Sequence, residues 1–153
     1  MNTQEVSRTD DWYQIVIRDE SLLSGTSVRL FLELLITALR VEYVLAADMV
    51  GSFSGLQHLS GKPLRAREFL QRAGEATQYD WAFFFLFRSM PDPLADGIDY
   101  RTVIAIADAT VRLVDDEFFY VYSKDQQVLN CTRQHFQVEE CGLHPLKALD
   151  VPS

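Results

Sequence analysis

Cysteine and histidine are scarce in this sequence, with two and three residues respectively in a chain of 153. Small secreted domains that depend on disulfides need more cysteines, so a disulfide framework is excluded, although two cysteines still allow a single bridge. The opening MNTQEVSRTDDW also lacks the basic residues and the apolar run of a secretory signal. Together these absences predict a cytoplasmic location.

No clean membrane-spanning run is present. The most apolar stretch, 28–50, is long enough to cross a bilayer, but five charged residues interrupt it: Arg29, Glu33, Arg40, Glu42 and Asp48. Each of these charges is costly in hydrocarbon, so no membrane association is expected. We predict instead that 28–50 is one long, largely covered helix of a globular fold.

Positive charge is also in short supply. The chain has 14 Lys and Arg against 22 Asp and Glu, a formal charge of -8. Duplex nucleic acid requires a basic face, so nucleic acid is not an expected partner. An acidic surface favours a basic protein partner, although modest negative charge also serves solubility alone.

Familiar catalytic motifs are missing as well. There is no G-x-x-x-x-G-K, no G-x-G-x-x-G and no H-E-x-x-H. The segment GSFSG at 51–55 places Phe53 where a nucleophile elbow requires serine, so Ser52 and Ser54 are not expected to be nucleophiles. The histidine at 58 is expected to be a solvated loop residue. We predict no catalytic residue and no cofactor, and consider an enzyme less probable than a binding protein.

Apolar and aromatic residues are abundant in the sequence. With 48% hydrophobic residues, ten Phe and six Tyr, the chain is far from the composition of a disordered protein. Its length suits a single domain over 1–153, which can bury an adequate core. The polar lead 1–10 and the tail 145–153 are expected to be loosely held.

Apolar periodicity predicts an α+β fold. The expected elements are a strand at 12–19, the long helix at 28–50, a helix at 64–74, a buried central strand at 79–89, a hairpin at 110–125 and a strand at 126–132. Residues 100–109 suit either a short helix begun by Asp99 or a strand, and we favour the strand. Helices followed by strands predict two layers, with a mostly antiparallel sheet curled over one long N-terminal helix plus a shorter second helix.

The segment 131–144 has the donors of a zinc site. Cys131, His135, Cys141 and His144 supply two thiols and two imidazoles with the spacing C-x3-H-x5-C-x2-H. Familiar structural sites pair their ligands as C-x2-4-C and H-x3-5-H, whereas these alternate. A chain this apolar also needs no metal to fold. We therefore predict no metal ligand and keep a zinc-stabilised interaction module as an alternative.

The predicted hairpin carries the candidate binding surface. Acidic residues occupy its turn and FFYVY follows, which puts aromatic side chains on both faces of one strand. Exposed aromatics beside carboxylates suit an interface with a basic partner, as in an inhibitor or immunity protein. The predicted partner-binding residues are Asp115, Asp116, Glu117, Phe118, Tyr120 and Tyr122. The plainer interpretation is a solvated turn followed by a strand covered on both faces.

A small-molecule-binding or enzymatic domain with an internal cavity is the remaining alternative. The cavity would lie between the long helix and the curved sheet, and five aromatic residues would line it: Trp81, Phe83, Phe85, Tyr120 and Tyr122. No convergent acid, base or cation is identifiable there, and such aromatics more commonly pack in a core.

Overall fold

The computed structural model describes residues 10–52, 61–94 and 99–152. Seven strands form one sheet in the order β3-β2-β4-β5-β6-β1-β7, and every neighbouring pair is antiparallel. In chain order the strands are β1 Asp11–Arg18, β2 Tyr43–Ser52, β3 Pro63–Arg65, β4 Gln78–Phe87, β5 Ala109–Val114, β6 Phe118–Ser123 and β7 Val138–Pro145. The predicted α+β class with an antiparallel sheet is confirmed.

Four α-helices accompany the sheet in the described part of the chain. They are α1 Gly25–Leu39, α2 Ala66–Ala73, α3 Tyr100–Ile106 and α4 Gln126–His135, and a short 3-10 helix, Leu146–Ala148, follows β7. None of the helices among the described residues is long and apolar enough to span a membrane.

The predicted helix over 28–50 is wrong in its second half. Helix α1 starts at Gly25, three residues earlier, and the Ser24 side chain caps it by accepting from the Ser27 amide at 3.2 Å. It ends at Leu39, where Arg40 adopts a left-handed conformation with φ 58°. The chain then forms β2, which buries Val44 on one face of the sheet and Leu45 on the other. A strand buried on both faces has the same continuous apolar run as a buried helix, so periodicity could not separate them.

Two further segments are helical, against our expectation of strands. Residues 100–106 form α3, and Asp99 caps it by accepting from the Thr102 amide at 2.8 Å. The segment 126–132 belongs to α4, and the Asp125 side chain accepts from the Gln127 amide at 2.8 Å. In both places an aspartate satisfies amides that the first helical turn leaves free, which favours the helix.

Both faces of the sheet carry a packed core, so the predicted two-layer arrangement is matched only in part. One face packs against α1, α2 and α4 through a core that includes Phe31, Phe69 and Val128. The other face, called here the second face, packs against α3 and the C-terminal segment 146–152. Phe83 of β4 stacks on Tyr100 of α3 with ring centroids 4.2 Å apart.

The C-terminal segment is packed against the second face, although we expected 145–153 to be loosely held. Leu149 and Val151 are buried with the aromatic residues of that face. Arg101 of α3 donates to the carbonyl oxygens of Leu146 at 2.8 Å and Val151 at 3.3 Å. This packing covers the middle of the second face and leaves the end nearest the β5–β6 turn partly open, as shown by the exposure of Val50 and Trp81.

Candidate functional site

The predicted hairpin at 110–125 is confirmed, and its turn is formed by two aspartates. Asp115 and Asp116 have φ values of 55° and 52°, and the Glu117 amide donates to the Val114 carbonyl at 3.2 Å. Two successive residues with positive φ match the right-handed twist of a hairpin, and aspartate tolerates this conformation better than most residues. The turn therefore holds both carboxylates at the tip of the hairpin.

Further carboxylates lie close to this tip. The Asp116 amide donates to the Asp80 carbonyl at 3.2 Å, and the Gln78 side chain donates to a carboxylate oxygen of each of these aspartates. The Asp19 amide donates to the Glu117 carbonyl at 2.7 Å. We call this group the acidic end; its members are Asp19, Asp80, Asp115, Asp116 and Glu117.

Among the described residues, one cation forms an ion pair with a carboxylate of the acidic end. Arg18 forms an ion pair with Glu117, with Nη2 and Oε1 2.5 Å apart. Asp115 and Asp116 form no ion pair with any residue of the described ranges. Because exposed pairs of this kind contribute only ~0 to 1 kcal/mol, Arg18 can be released to solvent or to a partner at little cost. The acidic end thus keeps most of its charge available.

The aromatic residues predicted beside the turn differ in exposure. Phe119 and Val121 face the helices, while Phe118, Tyr120 and Tyr122 lie on the second face. Phe118 and Tyr120 are half-buried, but Tyr122 is fully buried and donates its hydroxyl to the Asp150 carbonyl at 2.5 Å. Burial raises the pKa of Tyr122 to about 12. Tyr122 is a core residue and cannot serve as a contact residue.

Two exposed apolar residues that were not predicted from the sequence lie next to the acidic end. Val50 of β2 and Trp81 of β4 are paired across the sheet and are 51% and 42% exposed. The register continues this row through Val114 to Phe118. We call Val50, Trp81 and Phe118 the apolar strip. The adjacent Asp80 was a signal that this end of the central strand reaches solvent, although we had predicted complete burial.

A buried arginine lies in the middle of the second face. Arg112 of β5 is paired with Tyr120 on one side and Phe83 on the other, and only 9% of it is exposed. Its guanidinium carbon lies 5.2 Å and 5.9 Å from the centroids of those two rings. Nη1 donates to the Asp150 carbonyl at 2.8 Å and contacts the Tyr122 hydroxyl at 3.4 Å.

The remaining donors of Arg112 are not used by the described residues. Nε is buried without a hydrogen-bond partner, no hydrogen bond joins Nη2 to a described residue, and no carboxylate of those residues forms an ion pair with this guanidinium. The side chain lines a cavity of about 200 Å³ whose other walls include Trp81, Phe83, Tyr100 and Pro152. Asp48 and Val50 also border this cavity.

These positions correct the expected location of an aromatic cavity. Phe83, Phe85, Tyr120 and Tyr122 lie on the second face, away from α1, so no cavity between α1 and these residues exists in the described fold. Phe85 and Tyr122 are packed in the core of that face. Of the five residues predicted to line a cavity, Trp81 and Phe83 border the one beside Arg112.

The four candidate zinc ligands do not come together. Cys131 and His135 lie on α4, whereas Cys141 and His144 lie on β7. Cys141 is paired with Ile15 of the helix-side core and His144 with Trp12 of the second face, so the two point to opposite sides of the sheet. Within the described ranges no three His, Cys, Asp or Glu residues are placed to hold a metal ion.

A second, larger groove lies between α1 and α4. It has a volume of about 810 Å³, and its apolar walls include Leu30, Leu34, Cys131 and Phe136. Partial burial raises the pKa of the Cys131 thiol. Of the other residues that the sequence singled out, Ser52 ends β2 and is exposed, while Ser54 and the histidine at 58 lie outside the described residues.

Comparisons with known proteins identify no relative. No family model matches the chain, and neither the curated proteins nor the solved structures give a significant match.

Proposed function

We propose that this protein is a binding module that engages a basic protein partner through the acidic end and the apolar strip. The observation that carries the proposal is that carboxylates without ion-pair partners at Asp115 and Asp116 lie next to an exposed tryptophan, Trp81. A neutralising role toward a basic enzyme or toxin in the cytoplasm would suit such a module. The proposal assigns no catalytic step to the chain.

The two parts of this surface have different tasks. Carboxylates in solvent attract a basic surface over about a Debye length, ~8 Å at physiological salt, and so accelerate encounter. Half-exposed aromatic side chains supply apolar area at little entropic cost, and tryptophan is enriched among residues that dominate binding energy. Trp81 and Phe118 are therefore the proposed anchors, and Tyr122 is removed from the predicted set because it is buried.

The test begins with isolation of a partner by pull-down and is decided by binding kinetics at two ionic strengths. The triple variant Asp115→Asn, Asp116→Asn, Glu117→Gln should associate about tenfold more slowly at low salt, with a flatter salt dependence. The fold should remain intact because these solvated charges contribute little to it.

A matched control removes the same number of charges elsewhere. Glu33, Glu68 and Glu139 are all exposed and lie outside the acidic end, so their replacement by Gln changes net charge equally. If both triple variants slow association to the same extent, only overall charge matters and the acidic end is not the steering surface. If the triple variant of Asp115, Asp116 and Glu117 associates at the wild-type rate at both salt concentrations, the proposal is contradicted.

The anchor is tested separately. Trp81→Ala should leave the association rate nearly unchanged and accelerate dissociation at least tenfold, equivalent to ~1.4 kcal/mol. Leu143→Ala is the control, since Leu143 is also 42% exposed but lies on β7, away from the apolar strip. Unchanged dissociation in the Trp81 variant would remove the apolar strip from the interface.

A further inference from the structure

Arg112 carries a positive charge that forms no ion pair with a carboxylate of the described residues. Buried charges in proteins are ordinarily paired or bound to a ligand, because desolvation is costly. Here the nearest polar groups are one backbone carbonyl and one hydroxyl, and two aromatic rings flank the guanidinium. These contacts hold the C-terminal segment in place but supply no negative charge.

The unused part of the guanidinium has a specific shape. Nη1 is taken by the Asp150 carbonyl, whereas Nε and Nη2 have no partner among the described residues. The N–H groups of Nε and Nη2 lie side by side on one edge of the guanidinium plane. Nε has almost no accessible surface, so Nη2 is the donor that a ligand in the cavity can reach, and it can donate a charge-assisted hydrogen bond to a carboxylate oxygen.

The cavity walls indicate the rest of the ligand. A volume of about 200 Å³ is small, equal to roughly seven waters at ~30 Å³ each. Its sides are the rings of Trp81, Phe83 and Tyr100 together with Pro152. A ligand that fills this space would place a compact aromatic or branched apolar body against the rings and its charged group on Arg112.

Charge distinguishes a carboxylate from a phosphate. One guanidinium offers a single positive charge, Asp48 borders the same cavity, and the chain has a formal charge of -8. A singly charged acid is matched by Arg112 alone, whereas a doubly charged phosphate would remain uncompensated beside Asp48. The surroundings therefore favour a monocarboxylate.

We propose that this cavity is a binding site for a small monocarboxylic acid with an aromatic or branched body, held by Nη2 of Arg112. The site shares Val50 and Trp81 with the apolar strip but includes no residue of the acidic end. Loss of the Asp115, Asp116 and Glu117 charges would leave acid binding in place, and loss of Arg112 would leave charge steering in place.

Benzoate is the probe, and benzamide is the neutral control of the same shape. In isothermal titration calorimetry the full chain should bind one benzoate, whereas benzamide and inorganic phosphate should bind at least tenfold more weakly. Only two tryptophans are present, so the indole N–H signal of Trp81 in a nitrogen-15 spectrum should shift with benzoate while that of Trp12 stays. Equal affinity for benzoate and benzamide, or no binding of benzoate at millimolar concentration, would overturn the proposal.

Two kinds of variant locate the site. Arg112→Met removes the charge and the donors, and it should weaken benzoate binding at least tenfold. Val50→Trp fills the cavity from an exposed position without touching Arg112 and should abolish binding, whereas Leu143→Trp makes a similar change on β7 and should not. If Arg112→Met fails to fold, the Val50 and Leu143 pair still decides: wild-type affinity in Val50→Trp would refute the site.

Discussion

Phe31 connects several elements on the helix side of the core. It lies in α1 and is 1% exposed. Its ring stacks on Phe119 of β6 at 4.2 Å with an interplanar angle of 15°, and it contacts Phe136, which follows α4, at 5.0 Å. One side chain therefore connects α1, the sheet and the end of α4.

Replacement of Phe31 by alanine should be strongly destabilising. Truncation of a buried Phe to Ala costs ~3 to 5 kcal/mol through lost apolar burial and the cavity left behind. The two neighbouring rings cannot both move to fill the cavity. The expected loss for Phe31→Ala is therefore in the upper half of that range, ~4 to 5 kcal/mol. For a chain of this length that corresponds to a fall in Tm of ~8 to 20 °C.

Urea and thermal denaturation followed by circular dichroism measure this loss. Leu30→Ala is the control because Leu30 is the preceding residue yet 57% exposed; its effect should stay within ~0.5 kcal/mol. Phe31→Leu should fall between the wild type and the alanine variant. A loss below ~1 kcal/mol for Phe31→Ala would show that α1 does not pack on β6 as described, and the packing argument would fail.

Three more predictions concern the same core and its titratable groups. Leu35→Asp buries an unpaired carboxylate on the covered side of α1, where Leu35 is 1% exposed, and should abolish the cooperative thermal transition; a soluble variant with an unchanged transition would contradict it. Burial raises the pKa values of Tyr79 and Tyr122, the latter from 10.0 to about 12, so the folded chain keeps protons that the unfolded chain releases. The stabilisation that comes from these raised pKa values is complete below pH 10 and is lost as pH rises towards 12. In urea denaturation at several alkaline pH values, the free energy of unfolding should therefore decline less steeply for Tyr122→Phe than for the wild type. With a thiol reagent at pH 8, exposed Cys141 should react well before Cys131, whose thiol pKa is raised by burial; equal rates would refute this.

The sequence pattern correctly predicted those elements whose structure depends mainly on neighbouring residues. The alternation of apolar residues gave the strand at 12–19, and β1 is Asp11–Arg18. The basic segment 64–74 contains α2, the aromatic run 79–89 corresponds to β4, and the aspartate pair forms the hairpin turn. In each case the side-chain period or the turn chemistry has one favourable solution.

The errors arose where two structures satisfy the same pattern. Residues 28–50 are apolar enough for either one buried helix or a helix followed by a strand buried on both faces, and the left-handed turn at Arg40 decides between them. In 100–109 the β-branched residues also suit a strand, but Asp99 begins a helix there, and Asp125 begins one ahead of 126–132. Both aspartates cap helices, which is a local signal that the sequence does contain.

Exposure at the site depends on contacts between distant parts of the chain. The three aromatic residues predicted on one face of β6 do share a face, as alternation requires. Which of them is buried is decided by the C-terminal segment, whose Asp150 carbonyl accepts from Tyr122. No local pattern shows that residues 146–152 return to cover this part of the sheet while leaving Trp81 partly exposed.

The burial of Arg112 likewise depends on distant parts of the chain and could not be predicted from the local sequence. In the sequence TVRLV it follows the alternation of a half-exposed strand, and a charged residue there predicts a solvent-facing position. Its burial follows from α3, which places Tyr100 over Phe83, and from the C-terminal segment, which places the Asp150 carbonyl against the guanidinium. Both were segments whose structure we had assigned incorrectly. A charged residue at an alternating strand position is therefore informative about function only after the layers on both faces of its sheet are known, and here that knowledge changes Arg112 from a solubilising residue into the proposed anion-binding group.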